Sequence, residues 1–241
     1  MYQGKSFLAV VTARGGSKGL PGKNFTDLCG RPLFEWSLLA AYNSFLVDEI
    51  YLSTNCLDVM GRWEDNPIGT LIKRPDCISK DDSKNEEALI HSVGKYIDAY
   101  GGYPDYVINL QPTSPIRHNM LIDNCIKHLI EHGGDSLITG KAFTPLFWKK
   151  DSDEKACPLY NVKERPMRQN LHQLDYYYHE DGNIFITDAS VLCDTELRIG
   201  KNPVLFETNE YQSLQIDTQN DLDIVKAICG TIESPVDIPI Y

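Results

Sequence analysis

Thirteen consecutive residues, Thr12 to Asn24, hold four glycines and three cations, Arg14, Lys18 and Lys23. Glycines let backbone amides come close to an anion, and the cations add fixed positive charge. The run follows Phe7–Val11, an apolar stretch that reads as the first strand. A loop of this kind at a strand's end is built to hold a polyphosphate. A flexible turn with solvated lysines is the plainer account, and the position after a strand argues against it. The spacing also removes the commonest phosphate binders. Gly22-Lys23 is followed by Asn24 rather than Ser or Thr, and Gly15, Gly16 and Gly19 do not fit G-x-G-x-x-G. A P-loop kinase and a dinucleotide dehydrogenase are thereby disfavoured.

Other chemistry-bearing clusters also fall after apolar runs. Leu110-Gln-Pro-Thr-Ser-Pro-Ile-Arg117 puts Gln111, Thr113, Ser114 and Arg117 as donors in a proline-stiffened turn. Ser114 there also reads as a helix cap. Arg74, in Lys73-Arg-Pro75, reads as a contact for base or phosphate, or as a surface arginine. Further on come Arg165-Pro-Met-Arg-Gln169, the polar turn His179-Glu-Asp-Gly182 and Gln215-Ile-Asp217. On a strand Gln215 and Asp217 share one face. Thr218-x-x-Asp221 is close to a capping box, which gives Asp217 a structural reading as well. Asp151-Ser-Asp153 has the D-x-D spacing of a glycosyltransferase metal motif, but no strand precedes it.

The elements that must position these residues alternate. Strands are predicted at Phe7–Val11, Glu49–Ser53, Thr70–Lys73, Tyr106–Leu110 and Ser136–Thr139. Between them, helical spacing covers Pro32–Asn43 (Leu33, Trp36, Leu39 and Ala40 on one face), Leu57–Glu64, Asn85–Tyr100 and Met120–His132. This β-α-β-α order predicts a three-layer α/β/α fold around a mostly parallel, Rossmann-like sheet, with ligands at the carboxyl ends of the strands. The pattern breaks over 141–182, which is rich in proline, charge and aromatics (Tyr176-Tyr-Tyr178). That segment reads either as a protruding arm inserted into a single domain spanning 1–241, suited to self-association, or as a long surface loop. Strands at Asn183–Thr187, Pro203–Phe206 and Ser213–Ile216, then a helix at Gln219–Cys229, complete the chain.

The chain of 241 residues has a net charge of −11. An acidic surface argues against non-specific binding to nucleic acid or anionic membrane, yet a local cationic pocket can still take a nucleotide. Seven cysteines, with no C-x-x-C pair, argue against zinc and redox motifs and read as reduced, mostly buried thiols of a cytoplasmic protein. The apolar run at Phe7 is too short for a signal peptide or membrane span.

In order, A-R-G-G-S-K-G-L-P-G-K-N, K-R-P, L-Q-P-T-S-P-I-R, R-Q, D-G-N-I-F-I and I-D-T-x-x-D resemble the acylneuraminate cytidylyltransferase family over roughly residues 6–230. These are the CMP-sialic acid synthetases and their relatives for legionaminic, pseudaminic and 3-deoxy-octulosonic acids. The resemblance implies attack of the anomeric hydroxyl of an acidic keto-sugar on the α-phosphate of CTP. It implies that Arg14, Ser17, Lys18, Lys23 and Asn24 hold the triphosphate. Arg74 and Asn85 would face cytosine, and Gln111, Arg168, Gln169 and Asp181 the sugar. Asp217, with Gln215 beside it, would hold Mg²⁺. A homodimer built through the 141–182 arm is implied too. Three departures stand out. Gln215 replaces the first carboxylate of I-D-I-D, Asp181 takes the amide position of the family's E-N-G turn, and His172 stands where the family's R-Q-x-L-P has proline. The last two fall on the presumed sugar side and favour a sugar acid other than the commonest sialic acid. Another nucleotide, an eight-carbon acid, or weakly catalytic nucleotide binding are the alternatives.

Overall fold

Phe7 to Val11 are all fully buried, which a strand achieves only when helices cover both faces of its sheet. A computed structural model describes residues 1–16, 20, 22–63, 68–118, 120–172, 175–231 and 234–236, with only the backbone of Arg62, Trp63 and Arg168. In chain order the elements are β1 (Phe7–Thr12), β2 (Asp27–Leu28), β3 (Arg31–Pro32), α1 (Leu33–Tyr42), β4 (Glu49–Thr54), α2 (Leu57–Trp63), β5 (Thr70–Lys73), α3 (Asn85–Tyr100), β6 (Tyr106–Leu110), α4 (Leu121–His132), β7 (Ser136–Phe143), β8 (Trp148–Lys150), β9 (Ala156–Pro158), β10 (Tyr177–Asp188), α5 (Ala189–Thr195), β11 (Pro203–Glu207) and α6 (Gln219–Cys229).

Seven strands form the central sheet in the order β11-β7-β10-β6-β1-β4-β5. β10 runs antiparallel to both its neighbours, and the other pairings are parallel. One face packs alternate strand residues, Phe7, Ala9, Val11, Ile108 and Ile184, against α1, α4 and α6. The other packs Leu8, Val10, Val107 and Tyr51 against α3 and α5. The three-layer fold expected from the alternation is therefore present. Among the described residues no helix is long and apolar enough to cross a membrane.

Several local expectations change. Ser213–Ile216 is not a strand: Asn209 Oδ1 accepts from the amides of Tyr211 and Gln212, and this side-chain-closed turn takes the place of a ladder. Ser114 caps no helix, because α4 begins at Leu121 after a left-handed Met120 (φ 53°). Leu39 is only half-buried, while Ser37 and Leu38 are fully covered, because α1 is enclosed on more than one side. The irregular segment is shorter than 141–182: β7 runs on to Phe143 and β10 starts at Tyr177, and the two pair there. Contrary to expectation a strand does precede Asp151 and Asp153, which sit in the turn between β8 and β9, but Asp151 Oδ1 accepts from the amides of Asp153 and Lys155. That carboxylate closes a turn and does not present a metal motif. The seven cysteines are free, but only Cys125 and Cys229 are buried, and Cys29 and Cys77 are exposed. The short helix α5 was not foreseen, although Asp188 caps it through the amides of Ser190 and Val191.

Candidate active site

Parallel strands point their carboxyl ends to one edge, and there β1, β5 and β6 open into a cavity of about 440 Å³. Its lining includes six cations, Arg14, Lys23, Arg74, Lys80, Lys84 and Arg198, against one carboxylate, Asp217. In a chain of net charge −11 this is a local reversal of sign, which concentrates field where walls exclude water.

The loop after β1 is fixed by its own polar groups. Gly22 is left-handed (φ 66°), and it starts a helical turn over Lys23–Phe25. Asn24 is buried and donates Nδ2 to the Arg14 carbonyl at 3.0 Å, tying the two ends of the loop together. The Gly15 amide donates to Asn55 Oδ1 at 2.9 Å. Lys23 Nζ lies 2.8 Å from Asp217 Oδ1, so cation and carboxylate from opposite ends of the chain meet in the cleft. Arg14 donates to the Lys80 carbonyl (2.8 Å) and to Asp81 Oδ1 (2.9 Å). Ser17 and Lys18 lie outside the described residues.

Arg74 is 5% exposed and donates to Ser53 Oγ (3.1 Å) and to the Ser53 carbonyl (2.8 Å). Burial, and secondarily the charge of Arg14, pulls its guanidinium down to about 10, so it is charged at neutral pH. Among the described residues no carboxylate pairs with it, which leaves its charge for a ligand. Asn85 opens α3, whose amino end has no side-chain cap, and its buried Nδ2 has no hydrogen-bond partner. Donors are therefore available at that helix end.

Gln111 lines the floor, and a buried brace beneath it holds the turn. Arg117, 3% exposed, donates to Ser37 Oγ and to the carbonyls of Gln111 and Asn183, each at 2.9 Å. Burial pulls its guanidinium down to about 9, and the charge of Asp181 opposes that shift. Asp181 does not face the cleft. It is 1% exposed, and its carboxylate accepts from Thr139 Oγ1 (2.6 Å), Thr208 Oγ1 and the Asn183 amide (3.0 Å). The expected sugar contact is thus a buried structural carboxylate, satisfied by hydroxyls from β7 and from the residue after β11. Gln215 does not line the cleft either: its Nε2 donates to the Asp181 carbonyl, over Gly182. Arg168 and Gln169 form a helical turn in the segment between β9 and β10 (only the backbone of Arg168 is described). Gln169 is exposed and outside the cleft lining. Asp217 lines the cleft, while Thr218 and Asp221 complete a capping box on α6.

The cleft also contains residues that no motif indicated. Lys80, Ser83 and Lys84 come from a charge-rich loop that reads as solvated, where the Lys80 amide and Ser83 Oγ close a turn. Arg198 follows α5 and carries no local signature.

The description "Cytidylyltransferase" belongs to the family model that matches residues 8–228. The chain belongs to the cytidylyltransferase family. It is 23% identical over 225 residues to the pseudaminic acid cytidylyltransferase of Campylobacter jejuni, covering 92% of this chain and 95% of that protein. It is 25% identical over 219 residues to the N-acylneuraminate cytidylyltransferase of Streptococcus agalactiae, covering 89% of this chain and about half (51%) of that longer protein. The solved structure of a CMP:2-keto-3-deoxy-manno-octonic acid synthetase complexed with CTP shares the fold, with TM-score 0.66 and 18% identity over 94% of this chain and 99% of that one. As a cytidylyltransferase, the chain keeps its cations where parallel α/β sheets bind ligands, at the carboxyl ends of the strands.

Proposed function

We propose that this protein transfers CMP from CTP to the anomeric hydroxyl of an acidic 2-keto-3-deoxy nonulosonic sugar of the sialic, legionaminic or pseudaminic type. The sugar oxygen attacks the α-phosphorus, the bond to the bridging oxygen of the β-phosphate breaks, and pyrophosphate leaves with the electron pair. The observation that carries this reading is the cleft with six cations and one carboxylate in an otherwise acidic chain. Transfer at phosphorus asks a protein mainly for positioning and charge neutralisation. Arg14, Lys23 and Asn24, with Ser17 and Lys18, hold the triphosphate. Arg74 and Asn85 meet the cytosine, and Gln111 faces the sugar.

The donor set fits Mg²⁺ of the kind carried in on a nucleotide. Asp217 is a single, exposed carboxylate at the cleft, and such a metal takes one or two carboxylates plus phosphate oxygens and water. When bound, the ion neutralises phosphate charge. Among the described residues no cluster of three or more His, Cys, Asp or Glu side chains forms a dedicated metal cage. Gln215, which does not line the cleft with Asp217, is left out of the metal set.

The inserted segment supports a homodimer: Phe143, Phe147, Trp148, Leu159, Met167 and Tyr177 all expose large apolar surface there. Free cysteines accord with a reducing, cytoplasmic setting. The test is pyrophosphate release with each of the four nucleoside triphosphates, Mg²⁺ and a panel of eight- and nine-carbon 2-keto-3-deoxy acids. Release with CTP and a nine-carbon acid is expected. Release with only an eight-carbon acid, or only another triphosphate, overturns the substrate assignment. Tight CTP binding without any release overturns the catalytic one.

A further inference from the structure

The cations of the cleft divide by the sheet order. Arg14, Lys23 and Arg74 follow β1 and β5, on one side of β6. Arg198 enters from the other side, after α5, beside β10. Its guanidinium lies 4.4 Å from the centre of the Phe185 ring, and its Nε is 3.2 Å from Glu86 Oε1 in the first turn of α3. The stack and the ion pair fix the head group while it still lines the cavity. Among the described residues no acceptor takes a hydrogen bond from Nη1 or Nη2, so the fork of the side chain is unused.

A second observation lies next to it. Asn109 is the cross-strand partner of Phe185. It is 1% exposed, and both Nδ2 and Oδ1 lack a hydrogen-bond partner. Buried amides are ordinarily satisfied, so one with both ends unused calls for a ligand or water to complete it. Asn109 does not itself line the cleft, so its amide is a site for a buried water, and the group this wall presents to a substrate is the Arg198 guanidinium.

We infer that Arg198, on its Phe185 platform, selects the sugar acid by hydrogen-bonding an oxygen-bearing substituent of it. This rests on the two-substrate reading above. The nucleotide half already has its own cations, and Glu86 offsets much of the Arg198 charge. A hydrogen-bonding group on a sugar suits that wall better than a further phosphate does. Phe185 and Glu86 act as positioning residues.

The test compares wild type with Arg198→Leu and Arg198→Lys. CTP affinity is measured by calorimetry, pyrophosphate release is measured against sugar-acid concentration, and thermal melting checks folding. The KM for the sugar acid should rise about 10- to 100-fold in Arg198→Leu, the weight of a charged hydrogen bond, with CTP Kd within about twofold of wild type. Arg198→Lys should recover part of the loss. A parallel loss of CTP affinity in Arg198→Leu overturns the assignment to the sugar half. An unchanged sugar KM in a folded Arg198→Leu overturns the role altogether. If wild type turns over no sugar acid, the substrate reading has failed, and with it the proposal; if wild type is active and the variant matches it, only Arg198 has been misassigned.

Discussion

Replacing Lys23 with alanine separates stability from catalysis. Lys23 Nζ is 2.8 Å from Asp217 Oδ1, but the Asp217 side chain is 64% exposed, so the pair is screened by water. An ion pair of this kind contributes about 0–1 kcal/mol to folding. Lys23→Ala should therefore move the melting temperature by no more than a few degrees. The loop keeps its shape without the ammonium, because Gly22 sets the turn and Asn24 holds the Arg14 carbonyl. In the proposed reaction the same ammonium would face charge developing on phosphate oxygens, where losing one placed donor costs about 3 kcal/mol, or roughly 10²-fold in rate. The assay is kcat/KM for CTP by pyrophosphate release, alongside a thermal melt. Lys23→Arg should restore part of the rate, since charge is kept and geometry is not. Arg14→Ala should lose activity to a similar order. Near-normal kcat/KM for CTP in a folded Lys23→Ala refutes the triphosphate assignment. A large stability loss instead refutes the claim that the pair is marginal.

Asp181→Ala removes the acceptor for Thr139 and Thr208 and the carboxylate nearest in effect to buried Arg117, so unfolding in urea should show a loss of about 3 kcal/mol; a sugar KM effect at unchanged stability would instead return Asp181 to the substrate. Gly182→Ala puts a Cβ 2.5 Å from Gln215 Nε2 at φ 64°, which should cost about 1–2 kcal/mol and lower activity by pushing Gln215 off the Asp181 carbonyl in the turn beside Gln111. An active, equally stable variant counts against that turn as a support for the floor. His91 and His128 are both pushed below the ordinary 6.5, chiefly by burial. The unfolded chain then binds more protons between the folded values and 6.5, so their stabilising share is present above that range and lost as pH falls through it. The melting temperature should drop from pH 7 to pH 5.5, and the drop should shrink in His91→Gln/His128→Gln; an unchanged slope in that variant removes the histidines as its cause.

Periodicity reached far into this fold because its strongest rule is local. Thr70–Lys73, Asn85–Tyr100, Tyr106–Leu110 and Gln219–Cys229 fall where the hydrophobic spacing puts them. Buried parallel strands announce themselves as continuous apolar runs, and long amphipathic helices repeat their signal over several turns. The failures are places where the decisive partner is distant. Ser213–Ile216 has strand composition, but the Ile216 amide donates to the Thr113 carbonyl and the residues before it close on Asn209. The extension of β7 and β10 to Phe143 and Tyr177 depends on their pairing with each other, which neither run shows alone.

The same division holds in the cleft. Composition and spacing by themselves determined a loop rich in glycine and cations after the first strand, because such a run needs no long-range partner to be recognised. They also marked Gln111, Arg74 and Asp217 as strand-end or helix-start residues, and all three line the cavity. Only the tertiary structure decided what each carboxylate does. Asp217 meets Lys23 across nearly the whole chain, whereas Asp181, in an equally polar turn, is closed over by Thr139 and Thr208. Burial and pairing are set by which strands become neighbours, and one-dimensional spacing cannot encode that. Arg198 owes its place to the same fact: it reaches the cleft because β10 lies beside β6, with Phe185 beneath the guanidinium and Glu86 next to it.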